Sequence, residues 1–223
     1  FTKEAKKHSF SVVKKQTNTA TYPAHSVDLR FYVKEDKPFP IWQIGPGIFA
    51  SNDSSEYEWV TYKERTLKGL KVLYDSYPKM ASFKIKPISL ELRYVDSLDN
   101  SFVSEKDVLK LINNNTAFDI NLSSFFKGKS VSANLVFEFP VTSMKDTKFM
   151  LRIANCVIKD SDSVLVESKV ITKSNKIKIG AAEKKRQADL GKWLDDAHNL
   201  TSSFFKDFID QALMSKFSEK SNA

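Results

Sequence analysis

Apolar positions along this chain follow two periods, and the switches between those periods mark out the elements. Leu29, Phe31 and Val33 alternate with Arg30, Tyr32 and Lys34, the two-residue period of a half-buried strand within residues 25–35. Ile41–Ile44 and Ile48–Ser51 are further extended runs, joined through Gly45-Pro46-Gly47, and Phe10, Val12 and Val13 mark a partial strand before them. The period then changes. Ser55 with Glu58 three residues on reads as a capping box, and Trp59, Tyr62, Thr66, Leu70, Leu73 and Tyr77 follow at helical spacing until Pro78. Residues 83–96 return to alternation, with Ile88, Leu90, Leu92 and Tyr94 on one side and Ser89, Glu91, Arg93 and Val95 on the other. Ser104-Glu105-Lys106-Asp107 caps a short second helix through Val108, Leu111 and Ile112, stopped by Asn113-Asn114-Asn115. Residues 116–129 read as loop. Val131–Val141, Phe149–Ile158 and Val164–Ile171 are three strands with joints too short for parallel crossovers, so they predict antiparallel hairpins. From about Ala188 a wide stripe (Leu190, Trp193, Leu194, Ala197, Leu200, Phe204, Phe205, Phe208) predicts a long C-terminal helix against a large apolar sheet face.

The expectation is one α+β domain over residues 1–223. It has a curved antiparallel sheet of about six or seven strands, within normal sheet size. The C-terminal helix lies across the concave face, with one or two further helices beside it. Composition allows this: 41% hydrophobic and 28% charged residues make a packed core attainable and argue against disorder of the bulk.

Charge adds a candidate partner. Lys and Arg outnumber Asp and Glu by 35 to 27, a net +8, which favours anionic partners or simple solubility. The excess is mostly lysine, and residues 173–186 hold the densest basic run, without the interleaved aromatics that single-stranded nucleic acid uses. Cys156 is the single cysteine, so no disulfide can form within the chain. It reads as a buried strand thiol in a reducing, cytoplasmic setting. No run approaches the length of a membrane helix. His8, His25 and His198 are too few and too scattered for a conventional zinc site. GxSxG, GxGxxG and Walker patterns are absent, so no catalytic, cofactor-binding or metal-ligating residue is assigned. Asp195-Asp196-Ala197-His198 reads as a solvated helix face. Glu91 and Arg93 share a strand face and suit each other as an ion pair.

Three segments carry a resemblance. Trp42-Gln43-Ile44-Gly45-Pro46-Gly47-Ile48-Phe49, then Tyr57-Glu58-Trp59, then Leu92-Arg93-Tyr94-Val95-Asp96 resemble a sporadically distributed family of uncharacterised prokaryotic proteins. Its pattern is Q-x-G-P-G, Y-x-W, L-R-Y-x-[ND] and a C-terminal helix similar to Trp193–Phe205. Ala197 departs from it, where the family often has a larger apolar residue. The resemblance implies an architecture, a further strand before Phe1 and no reaction. It also draws Gln43, Gly45, Pro46, Gly47, Trp59, Arg93 and Tyr94 together as a candidate recognition cluster, in which Arg93 either bonds turn carbonyls or meets an anionic or carbonyl-bearing ligand. The function expected is a non-enzymatic binding module for a protein, peptide or small ligand. The rivals are a nucleic-acid-associated protein using its basic surface and an enzyme without a recognisable motif.

Overall fold

Chain order and strand pairing are taken from a computed structural model, which describes residues 1–15, 27–54, 57–77, 89–98, 108–120, 134–158, 161–173, 182–209 and Ser215. Helix α1 (Thr2–Lys7) precedes strands β1 (Val12–Lys15), β2 (Leu29–Tyr32), β3 (Ile41–Gly45) and β4 (Ile48–Asn52) and helix α2 (Trp59–Ser76). Strand β5 (Ser89–Leu98), helix α3 (Val108–Asn115), strands β6 (Asn134–Pro140), β7 (Thr147–Ile158) and β8 (Ser161–Lys173), and helix α4 (Glu183–Phe208) follow.

The single curved sheet expected from the sequence is not what forms. Among the described residues there are two separate four-stranded antiparallel sheets, ordered β1-β2-β3-β4 and β5-β8-β7-β6, and neither is curled or closed. The reason is local. Alternation says which face of a strand is buried but not which strand lies beside it. The first four strands are four or five residues long and pair in chain order through their own hairpins. The 18-residue α2 then separates them from β5, which pairs instead along its full length with β8.

Two compact units result: Phe1–Lys86 with Ile179–Lys192, and Pro87–Lys178 with Trp193–Ala223. In the first, α1 and α2 cover the face of the sheet that carries Leu29, Phe31, Trp42 and Phe49. Phe31 and Trp42 are fully buried, and the Phe10 ring stacks on Trp42 at 3.8 Å. The β3–β4 hairpin turns on Pro46, with its fixed φ, and on Gly47 at φ 73°, a pairing that suits a type II turn. Gln187 at the start of α4 donates to the Leu67 carbonyl (3.3 Å), and the Arg186 guanidinium lies 4.0 Å from the Tyr74 ring centre, which fastens that end of α4 to α2.

In the second unit, Trp193–Phe208 of α4 lies on the sheet face formed by Leu92, Phe149, Leu151, Ile153, Val166 and Val170. Trp193 Nε1 donates to Thr172 Oγ1 (2.8 Å), and Phe118, Phe208, Phe204 and Phe149 form a chain of ring contacts with successive centroids 4.5–5.4 Å apart. Phe208 is buried and Phe204 and Phe205 are half-buried.

Helix α1 is the element the pattern did not show; six residues are too few for a period to repeat. The capping residue Ser55, residues 104–107, the loop residues 121–130, the first part of the strand expected from 83, His25 and most of the basic run 174–181 lie outside the described residues.

Candidate functional site

Strand β8 runs through the middle of the second sheet, so its side chains meet neighbours from both flanking strands. One face is covered by α4. On the other, Glu167 stands opposite Val95 of β5 and Arg152 of β7. Glu167 is 1% exposed, an unusual place for a carboxylate. Three cations account for it. Arg93 Nε lies 2.6 Å from Oε1, Lys169 Nζ 2.9 Å from the same oxygen, and Arg152 Nη1 3.7 Å from Oε2. Burial by itself would raise the carboxyl's pKa, but Lys169 and Arg93 outweigh it and hold Glu167 below the usual carboxylate range.

Each arginine keeps donors to spare. Arg93 uses Nε on Glu167, and its side chain is 50% exposed. Arg152 Nε donates to Asn134 Oδ1 (2.8 Å), and its side chain is 40% exposed. The buried carboxylate thus fixes two guanidinium groups on the sheet while cancelling one of three positive charges. Val95 and Val136, both about half exposed, flank the cluster on the same face. The result is a flat surface of mixed charge, on which Glu91 and Glu138 share the face with the arginines and the two valines lie beside them.

The residues singled out in the sequence are divided between the units. Gln43, Gly45, Pro46 and Gly47 belong to the β3–β4 hairpin, and Gln43 Oε1 accepts from Asn52 Nδ2 (2.9 Å). Trp59 opens α2, its ring 5.9 Å from that of Tyr62. Arg93 and Tyr94 lie in the second unit and, being adjacent on β5, point to opposite faces. Arg93 pairs with Glu167 rather than with Glu91 or a turn carbonyl. Tyr94 turns toward α4, where its hydroxyl and His198 Nδ1 are 2.7 Å apart. Burial, opposed by Asp195, lowers the His198 pKa, so the Asp-Asp-x-His segment is tied to the sheet rather than being only a solvated face. Cys156 is half-buried, on the same face as Glu167, and not a core thiol; burial still pushes it up.

Sequence reading missed Glu167, Arg152 and Lys169. The signal was there: Glu167 follows the apolar run Val164-Leu165-Val166 at the centre of a strand, and a strand-centre carboxylate needs cations on the neighbouring strands.

In the first unit a shallow cleft of about 260 Å³ is lined by Val33, Lys34, Lys37, Phe39, Pro40, Asp53 and Arg65, with Arg65 ion-paired to Asp53. Among the described residues no group of three His, Cys, Asp or Glu is placed to hold a metal, and no helix is long and apolar enough to cross a membrane. No protein-family model, curated protein or solved structure matches the chain.

Proposed function

We propose that this chain is a non-enzymatic recognition module whose second sheet takes an acidic, partly apolar segment of a protein partner on its Arg93–Arg152 face. The observation that carries the reading is the pair of guanidinium groups held on Glu167 between Val95 and Val136. An extended segment with acidic and apolar side chains at every second position, so that both kinds point toward the sheet, complements that arrangement by charge and by pitch. Nucleic acid fits it less well. The strand positions on this face present no aromatic ring on which a base could stack, and Glu167 removes part of the charge. Its single cysteine suits the chain to the cytoplasm.

The test is direct titration at about 150 mM salt, where screening already weakens purely electrostatic contacts. A synthetic peptide of Asp-Ser-Val-Ser repeats, which presents Asp and Val on one face when extended, is compared with a single-stranded RNA of equal charge. The peptide is expected to bind, and the double variant Arg93→Ala with Arg152→Ala to weaken it at least about tenfold, the equivalent of ~1.4 kcal/mol. RNA binding tighter than the peptide and lost in the same variant would replace the protein partner with nucleic acid.

A further inference from the structure

The chain has five arginines, all within the described residues, and four of them have a clear companion. Arg65 pairs with Asp53, Arg93 and Arg152 with Glu167, and Arg186 packs on Tyr74. Arg30 has none among the described residues. Its Nε is buried without a hydrogen-bond partner, and no ion pair from a described residue reaches its guanidinium, although Asp28 is only two residues away.

Its neighbours make this stranger. Arg30 sits in β2 with Lys14 of β1 directly across on one side and Gln43 of β3 on the other. Two like charges in register repel each other, and none of the strand positions sharing this face is acidic. Lys14 is held over the Tyr32 ring, 5.5 Å from its centre, on the same face. Gln43 gives its Oε1 to Asn52, which leaves its amide NH₂ as the group still to be satisfied. A guanidinium, an ammonium and an amide NH₂ therefore line up across three strands. All are donors. A fold that only needed stability would place a carboxylate or an apolar residue at one of these positions.

We propose that Arg30, with Lys14 and Gln43, binds a phosphate-class oxyanion on the first sheet. The two positive charges match a phosphate monoester dianion, whereas a carboxylate would leave one unbalanced. Arg30 supplies the fork, Lys14 the point charge and Gln43 the neutral donor. The site lies wholly in the first unit and uses none of the residues of the Arg93–Arg152 face, so either can fail without the other.

Inorganic phosphate is the probe, with chloride at equal ionic strength as the control. Phosphate is expected to raise the unfolding midpoint more than chloride does, and the excess to saturate, as a bound ligand requires. Arg30→Gln is expected to abolish the excess. In wild-type protein, the Arg30 Nε–H resonance is expected to shift saturably with phosphate while those of Arg93 and Arg152 do not; this reading stands even if the variant folds poorly. A phosphoserine peptide that displaces phosphate more effectively than free phosphoserine would assign the phosphate to a protein, and equal displacement would assign it to a small molecule. No phosphate excess over chloride, an excess that survives in Arg30→Gln, or an Arg30 resonance that does not saturate would overturn the site.

Discussion

Two glycines in helices illustrate how far a single residue's surroundings decide its role. Glycine costs about 1 kcal/mol relative to alanine in a helix interior, so each should have a reason to be there. Gly69 has one: a Cβ on it would lie 2.5 Å from Phe49 Cζ and 2.8 Å from Trp42 Cε2, inside the aromatic core of the first unit. Gly191 has none of this kind, since a Cβ there would make ordinary contacts at 3.6 Å with Leu67 and Lys63. Gly69→Ala should therefore destabilise by about 1–3 kcal/mol, the usual cost of overpacking, while Gly191→Ala should stabilise by up to about 1 kcal/mol. Denaturant midpoints of the two variants decide it; equal shifts would mean that Trp42 and Phe49 give way freely. Glu167 supports a second prediction at this scale. Its folded pKa is depressed, so the stability it contributes is present above its unfolded value and lost as pH falls through the lower folded one. Wild-type stability should drop below about pH 4, the range of an ordinary glutamate, and Glu167→Gln should lack that component of the drop. At neutral pH the variant should be weaker by about 1 kcal/mol, a modest figure because two of the three cations remain well solvated. An unchanged acid profile in Glu167→Gln would remove the carboxylate from the account of this face.

At the scale of elements, most of what the alternation and helical spacing predicted is present. The stripe from Trp193 to Phe208 is the α4 face on the second sheet, and the three late hairpin strands fall within a few residues of their expected limits. Phe208 is the most buried phenylalanine of that stripe, packed against Phe118 and Phe204. Phe208→Ala should cost about 3–5 kcal/mol, and Phe204→Ala less, because Phe204 is only half-buried. Equal losses by chemical denaturation would mean the two rings share one environment. What the pattern did not carry was pairing. Periodicity is a property of one strand, and sheet membership is a property of two. Glu167 and Arg152 face each other across 15 residues of sequence, and Arg93 and Glu167 across 74; nothing local announces either contact. The Gly-Pro-Gly turn was legible because its chemistry is confined to adjacent residues. The grouping of Arg93 with Tyr94 was not, because neighbours on a strand face opposite ways.

For the molecule as a whole, the segment that completes the first unit comes from far down the chain. Residues 179–192 belong with 1–86, and everything between them builds the second unit. A fragment of residues 1–86 therefore lacks the α4 segment that carries Gln187 onto Leu67 and Arg186 onto Tyr74, and should unfold at lower denaturant than the same unit does in the full chain. A peptide of residues 179–192 added in trans should restore part of the loss; a fragment as stable alone as in the full chain would make that segment dispensable. The same topology bears on synthesis. Ribosomes deliver residues from the N-terminus at roughly 5–20 per second. The first unit must wait for the whole second sheet to be made before its last helical segment emerges. During that interval its Trp42-centred core is complete, but α2 still lacks the α4 segment that packs on Leu67 and Tyr74. A nascent-chain arrest series should show the first unit gaining a further step of protease resistance once residue 192 has cleared the ribosome.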